Sequence, residues 1–126
     1  MTQMSDDALA QMIDQYCASW GEDDAAKRAA MLQDVWAERA TYTDPTAHVE
    51  GRSNLVAHIS AVRQQFPGAR IVRTSAIDQH NHCARFGWKL EKADGTWLPE
   101  GIDIAEFRDG KLQSIVGFFG ALKPKA

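Results

Sequence analysis

The sequence predicts a single α+β domain with its helices in the first half and most of its strands in the second. Three observations carry this prediction. Apolar residues recur at helical spacing over most of residues 9–66, they alternate along strand-length segments from Ala69 onward, and Ala93-Asp94-Gly95 and Asp109-Gly110 supply hairpin turns between those segments. Helices followed by an antiparallel meander imply helices laid on one face of a sheet.

The first helix follows from Leu9, Met12, Ile13, Tyr16, Cys17 and Trp20, which share a helical face behind the capping residues Ser5, Asp6 and Asp7. Gly21 ends it. A second helix is expected to begin near Asp23 or Asp24 and to carry Met31, Leu32, Val35 and Trp36 inward. Ala40 to Asp44 reads as a short strand with Ala40, Tyr42 and Asp44 on one face, broken by Asp44-Pro45 and followed by a turn through His48 and Gly51. The third helix is expected over Arg52 to Gln65, with Leu55, Ile59, Val62 and Phe66 in a stripe and Pro67-Gly68 as its stop. Strands then follow at Ala69–Ile77, His82–Glu91, Trp97–Phe107 and Leu112–Leu122. A long sheet wrapping three short helices must curve, and a curved sheet closed by helices leaves a conical cavity able to hold a ligand.

Length and composition narrow the partners. The 126 residues suit one domain over 1–126, and 44% hydrophobic with 25% charged residues is the profile of a packed globular protein. A net charge of −3 offers no basic field for nucleic-acid phosphates, so no nucleic-acid partner is expected. No segment reaches the roughly 20 apolar residues that cross a bilayer, so no membrane partner is expected either. The start, Met1-Thr-Gln-Met-Ser-Asp-Asp, has neither the basic leader nor the apolar run of a secretory signal, from which a cytoplasmic location is expected. Cys17 and Cys83 read as buried free thiols. No His-x-x-x-His or carboxylate-flanked ligand set appears, and neither a metal nor another cofactor is expected.

Several runs, taken in order, carry a family resemblance. Tyr16…Trp20…Trp36-Ala-Glu-Arg-Ala-Thr-Tyr-Thr-Asp-Pro, Gly51…His58-Ile, Phe66-Pro-Gly, Arg85-Phe-Gly-Trp88, Gly101-Ile-Asp103 and Asp109-Gly-Lys…Gly117-Phe-Phe-Gly together resemble SnoaL-like proteins of the nuclear transport factor 2-like superfamily. That resemblance spans nearly the whole chain. It implies a cone-shaped, cystatin-like fold, with three N-terminal helices packed on a curved antiparallel sheet, and homodimerisation through the outer sheet face. The superfamily includes isomerases, dehydratases, polyketide cyclases, epoxide hydrolases and non-catalytic binding or assembly proteins, so the fold alone does not choose among them. Within it, ketosteroid isomerase offers the nearest chemical template, whose tyrosine, general-base aspartate and second aspartate match Tyr16, Asp44 and Asp103.

Each candidate has a structural and a functional reading. Tyr16 lies in an apolar stripe and is either a core tyrosine or an oxyanion donor projecting into the cavity. Asp44 either caps the Asp-Pro turn or, by strand parity with Tyr42, places its carboxylate on the pocket wall. Asp103 sits mid-strand with Ala105 and Phe107 on its face, where an aspartate is costly to bury unpaired. It is either an ion pair with a neighbour such as Arg85 or, as the template implies, a carboxyl kept protonated by an apolar site. His58, at the edge of the third helix's stripe, is a second polar group for the pocket or a satisfied helix-edge histidine. Trp20, Trp36, Tyr42, Phe66, Phe86, Trp88, Phe107 and Phe118 are the candidates for an apolar ligand wall. Phe118 and Phe119 must face opposite sides of their strand, so one looks inward and the other meets a partner subunit.

The expected function is cofactor-independent acid/base chemistry, of isomerase, dehydratase or cyclase type, on a small apolar cyclic or carbonyl-containing ligand. Asp44 would be the base, with Tyr16 and protonated Asp103 stabilising the oxyanion. The alternatives are an epoxide-type hydrolase holding a water between Asp44, Arg85 and Asp103, and a ligand-binding or assembly protein without chemistry.

Overall fold

The computed structural model describes residues 4–126, so of the domain expected over 1–126 the first three positions lie outside the described residues. Ser5 caps α1 (Asp6–Ser19), its hydroxyl oxygen accepting from the Ala8 N–H at 3.1 Å. Asp24 caps α2 (Ala25–Val35) by accepting from the amides of Ala26 and Lys27. α3 covers Arg52–Gln65. The strands are β1 (Trp36–Asp44), β2 (Ala47–Glu50), β3 (Arg70–Arg73), β4 (Asp78–His80), β5 (Cys83–Glu91), β6 (Gly101–Arg108) and β7 (Lys111–Phe119). Among the described residues no helix is long and apolar enough to cross a membrane.

The strands form one seven-stranded sheet in the order β2-β1-β7-β6-β5-β3, with β4 also paired to β5. The α+β class and the three helices packed on a curved sheet are those the sequence indicates. One pairing departs from the antiparallel expectation: β1 runs parallel to β7, which makes the sheet mixed. The first strand is laid down before α3, and after the later strands have turned back and forth, β7 arrives beside it in the same direction.

Local boundaries also shift. Trp36 belongs to β1 and not to the second helix; its backbone is extended (φ −114, ψ 119), although its amide still donates to Leu32 as the last helical bond. The turn expected through His48 is the strand β2, and Gly51, at φ 91, makes the turn into α3 without a side-chain cap. The segment expected as one strand over Ala69–Ile77 ends at Arg73, and residues 97–100 lead into β6 without joining it as regular strand. β7 stops at Phe119, where Gly120 takes φ 82. The Asp109-Gly110 hairpin holds as read, with both residues at positive φ (54 and 76).

Parity organises the core. In β6 Gly101, Asp103, Ala105 and Phe107 face the helices while Ile102, Ile104, Glu106 and Arg108 face out. Leu9, Ile13, Leu32, Leu55, Ile59, Leu112 and Ile115 fill the space between, each at most 1% exposed and each contributing about 1.5–3 kcal/mol by burial. Two arginines lie inside the helical layer, where an unpaired charge would be costly. Arg28 donates to the Glu22 carbonyl at 2.7 Å and to the Ser60 hydroxyl at 2.6 Å, tying α2 to α3. Arg63 donates to the carbonyls of Trp20 (2.8 Å) and Ala69 (2.7 Å) and pairs with Asp23, which fixes the end of α1 over the sheet. Cys17 is buried and Cys83 only half-buried, both as free thiols.

Candidate active site

Between the helices and the concave sheet face lies a cavity of about 490 Å³. Tyr16 of α1 and its C-cap residue Trp20, Tyr42 and Asp44 of β1, Trp88 of β5 and Asp103 of β6 all line it. The three residues matched to the isomerase template therefore meet on one surface, contributed by three separate elements.

Tyr16 is anchored from beneath. Its ring stacks on Trp36 (centroids 5.5 Å apart, planes at 13°) and meets Trp20 edge-on at 6.4 Å, so the ring is held in the core while the residue still lines the cavity. Burial holds its hydroxyl well above the ordinary tyrosine range, and the nearby Asp103, Tyr42 and Cys17 raise it further. Tyr16 remains a neutral donor across the working pH range.

Asp44 ends β1 at the Asp-Pro turn. One carboxylate oxygen accepts from the Thr46 amide and the Thr46 hydroxyl, each at 2.7 Å, and the other accepts from the Tyr42 hydroxyl at 2.6 Å. Burial works to raise its pKa, but the donors from Tyr42 and Thr46, with His58 nearby, outweigh it and leave the group below the usual carboxylate value. The two readings of Asp44 thus coexist: the carboxylate caps the turn and lines the cavity.

Asp103 is 6% exposed and sits mid-strand between Phe86 on β5 and Gly117 on β7. Burial lifts its pKa to about 7. The Trp88 indole N–H partly opposes that rise, and the Asp44 charge adds to it. The ion pair with Arg85 does not form. Arg85 lies on the outward parity of β5, is 70% exposed and pairs with Asp78 at 3.0 Å. The same orientation removes the water site between Asp44, Arg85 and Asp103 on which the hydrolase alternative depended.

Gly117 completes the arrangement; the sequence reading named it only within the run that carries the family resemblance and gave it no part in the site. It stands on the middle strand of β1-β7-β6, and a Cβ there would lie 2.8 Å from an Asp103 carboxylate oxygen and 3.7 Å from the Asp44 Cβ. The missing side chain is what makes room for both acids. Gly101 acts similarly for Trp88, whose ring would meet a Cβ at 2.4 Å. A glycine inside a strand is the sequence signal for such close approach, and both were available to it.

The aromatic wall is partly the expected one. Trp20, Tyr42, Phe66 and Trp88 line the cavity. Trp36, Phe86 and Phe107 do not; each is at most 2% exposed and packs in the core beneath or beside it. Phe118 is on the outer sheet face, 59% exposed, and Phe119 takes the cavity position instead, because β7 turns Ile115 and Gly117 inward and Val116 and Phe118 outward. His58 also stands off the cavity, behind the wall, with its ring against Trp20 and Tyr42 at 5.9 and 5.6 Å. The reading also missed Thr46, Gln65 and the Leu98-Pro99 segment, which line the cavity from positions with no periodic signal, and Leu90, which shares the inward parity of Phe86 and Trp88 on β5.

Residues 13–115 match the SnoaL-like domain family. Among solved structures, a SnoaL-like protein from Agrobacterium tumefaciens named as a candidate isomerase is 33% identical, with 90% of this chain and 98% of that one covered and a TM-score of 0.84. A protein from Jannaschia named as a candidate SnoaL-like polyketide cyclase (12% identity, 94% and 90% covered, TM-score 0.72) shares the fold. So does a cystatin-like protein of unknown function from Methylobium petroleophilum (18% identity, 98% and 83% covered, TM-score 0.76). No protein of curated function matches the chain.

Proposed function

Since the chain belongs to the SnoaL-like family, we propose that it is an enzyme catalysing cofactor-independent proton transfer on a small carbonyl-containing ligand held in this cavity. One observation carries the proposal: two carboxyl groups line a single cavity in opposite environments, Asp44 hydrogen-bonded and ionised, Asp103 buried and holding its proton toward neutral pH. Pairs of acids pushed apart in this way are how one site supplies a base and an acid together. A proton leaves the carbon next to the ligand carbonyl for the Asp44 carboxylate, and the electron pair moves onto the carbonyl oxygen. The Tyr16 hydroxyl and the protonated Asp103 donate to that oxygen as its charge develops. Return of the proton from Asp44 to a different carbon completes an isomerisation; where the carbon β to the carbonyl carries a hydroxyl, that C–O bond breaks instead and the oxygen takes the Asp44 proton to leave as water, a dehydration. The name of the Agrobacterium relative agrees with the isomerase form of this chemistry.

A second reading, a ligand-holding protein without chemistry, is favoured by the three donors on Asp44, since each hydrogen bond that stabilises the carboxylate weakens it as a base. Deuterium exchange separates the two without knowledge of the substrate. Cyclic ketones incubated with the protein in D₂O should exchange their α-protons faster than in buffer, by a route lost in Asp44→Asn. Ligand retention with no exchange across a panel of ketones would leave the binding reading in its place.

A further inference from the structure

The cavity's lining holds two acids and no basic side chain. Six aromatic rings line it, those of Tyr16, Trp20, Tyr42, Phe66, Trp88 and Phe119, together with Asp44 and Asp103, and no Lys, Arg or His is among its lining residues. Asp44 accepts hydrogen bonds only from Tyr42 and Thr46, the His58 ring that also favours its charge stands behind Trp20 and Tyr42, and neither acid takes part in an ion pair among the described residues. Apart from His58, the basic groups of the surrounding elements are committed elsewhere. Arg63 serves backbone carbonyls and Asp23, Arg70 pairs with Glu91, Arg73 with Asp14 and Arg85 with Asp78, while Lys89 sits over the Trp97 ring at 3.6 Å. A partly desolvated anion in a cavity lined by aromatic residues repels carboxylate and phosphate ligands and attracts a cation, which an aromatic ring face also favours.

We propose that the ligand carries a positively charged nitrogen, a tertiary or quaternary ammonium, in addition to the carbonyl group on which the proposed chemistry acts. This deepens the reading above and rests on the same cavity being the ligand site. The ammonium group would lie against the aromatic wall within reach of Asp44, supplying a counter-charge that no residue lining the cavity provides. It would also separate substrates by charge: neutral analogues of the same shape lose the cation's attraction, and anionic ones are excluded.

Acetylcholine and its neutral carbon isostere, dimethylbutyl acetate, differ only in the replacement of the charged nitrogen by carbon, so they isolate this effect. Binding measured by ligand-observed NMR needs no turnover, which keeps its outcome separate from that of the exchange assay. The expected result is that acetylcholine binds on the order of tenfold or more tightly than the isostere, and that the preference collapses in Asp44→Asn, whose amide preserves the shape of the wall. An unchanged thermal midpoint for that variant shows that the loss is of charge and not of fold. Equal or tighter binding of the neutral ester, or failure of acetylcholine to saturate the protein at millimolar concentration, overturns the proposal.

Discussion

Asp44 and Asp103 carry the same functional group and differ only in surroundings. Because Asp44 accepts from Tyr42 and Thr46, an amide of the same shape can keep part of that network while losing the ability to take a proton. Asp44→Asn should lower kcat by about 10²–10⁴-fold with little change in thermal midpoint. At Asp103 the donor matters more than the charge. Asp103→Asn, still able to donate, should retain more kcat than Asp103→Ala, which leaves the oxyanion unmatched in an apolar wall at a cost of about 10²–10³-fold. Asp103 also sets a pH dependence of stability. The unfolded chain releases this proton near the ordinary aspartate value, whereas the native protein holds it to about 7. Between those values the native state binds more protons, so stability falls as pH rises through the window and levels off above it. The span is at most roughly 4 kcal/mol, and Asp103→Asn should remove it, as denaturant titrations between pH 4 and 8 would show. Strand parity grouped Asp103 with Ala105 and Phe107 and Asp44 with Tyr42, but left open which face turns to the cavity. It could not reveal the Tyr42 hydroxyl on Asp44, nor that Arg85 looks outward to Asp78, because those depend on partners brought close only by the fold.

Among the elements, β7 decides how the site is assembled. It separates β1 from β6, and at Gly117 it contributes no side chain between the two acids. Gly117→Ala should push the Asp103 carboxyl from its position, since the new Cβ would stand 2.8 Å from its oxygen. A displacement of that kind at a reacting group should cost on the order of 10²-fold in kcat/KM, while far-UV circular dichroism stays native. Retention of full activity would show that the spacing of the two acids across β7 is unimportant. Helix and hairpin boundaries were legible where a local signal existed: the caps Ser5 and Asp24, the stop at Pro67-Gly68 and the positive-φ pair Asp109-Gly110. The parallel pairing of β1 with β7 was not, since nothing in either strand's own pattern names its neighbour. Trp36 was misplaced onto the second helix because its apolar spacing continues the helical stripe even though its backbone has already become extended. Phe118 was put in the wall for a related reason: adjacent identical rings leave the choice of face open until the strand is paired.

At the scale of the molecule, the outer face of the sheet presents Ile102 beside Phe118 and Ile104 beside Val116 as cross-strand pairs, each residue between 38% and 59% exposed. A contiguous apolar patch of this sort is normally covered. We propose that a second copy covers it, as the family resemblance implied, and sedimentation at micromolar concentration should return a species of twice 14.0 kDa that Phe118→Lys converts to monomer. The fold class was open to the sequence because it depends on the order of periodic segments, whereas the cavity's lining was only half open to it, because Leu98, Pro99 and Gln65 reach the site from irregular or helix-end positions. What the assembled molecule adds, beyond any of its elements, is the contrast between two carboxyls in one cavity. Carboxyl ¹³C NMR titration of the free protein, with Asp44 and Asp103 assigned through their asparagine variants, measures that contrast directly. The account predicts an Asp103 midpoint near 7 and an Asp44 resonance that stays ionised to below the ordinary aspartate range; an Asp103 that titrates with the exposed carboxylates would contradict it.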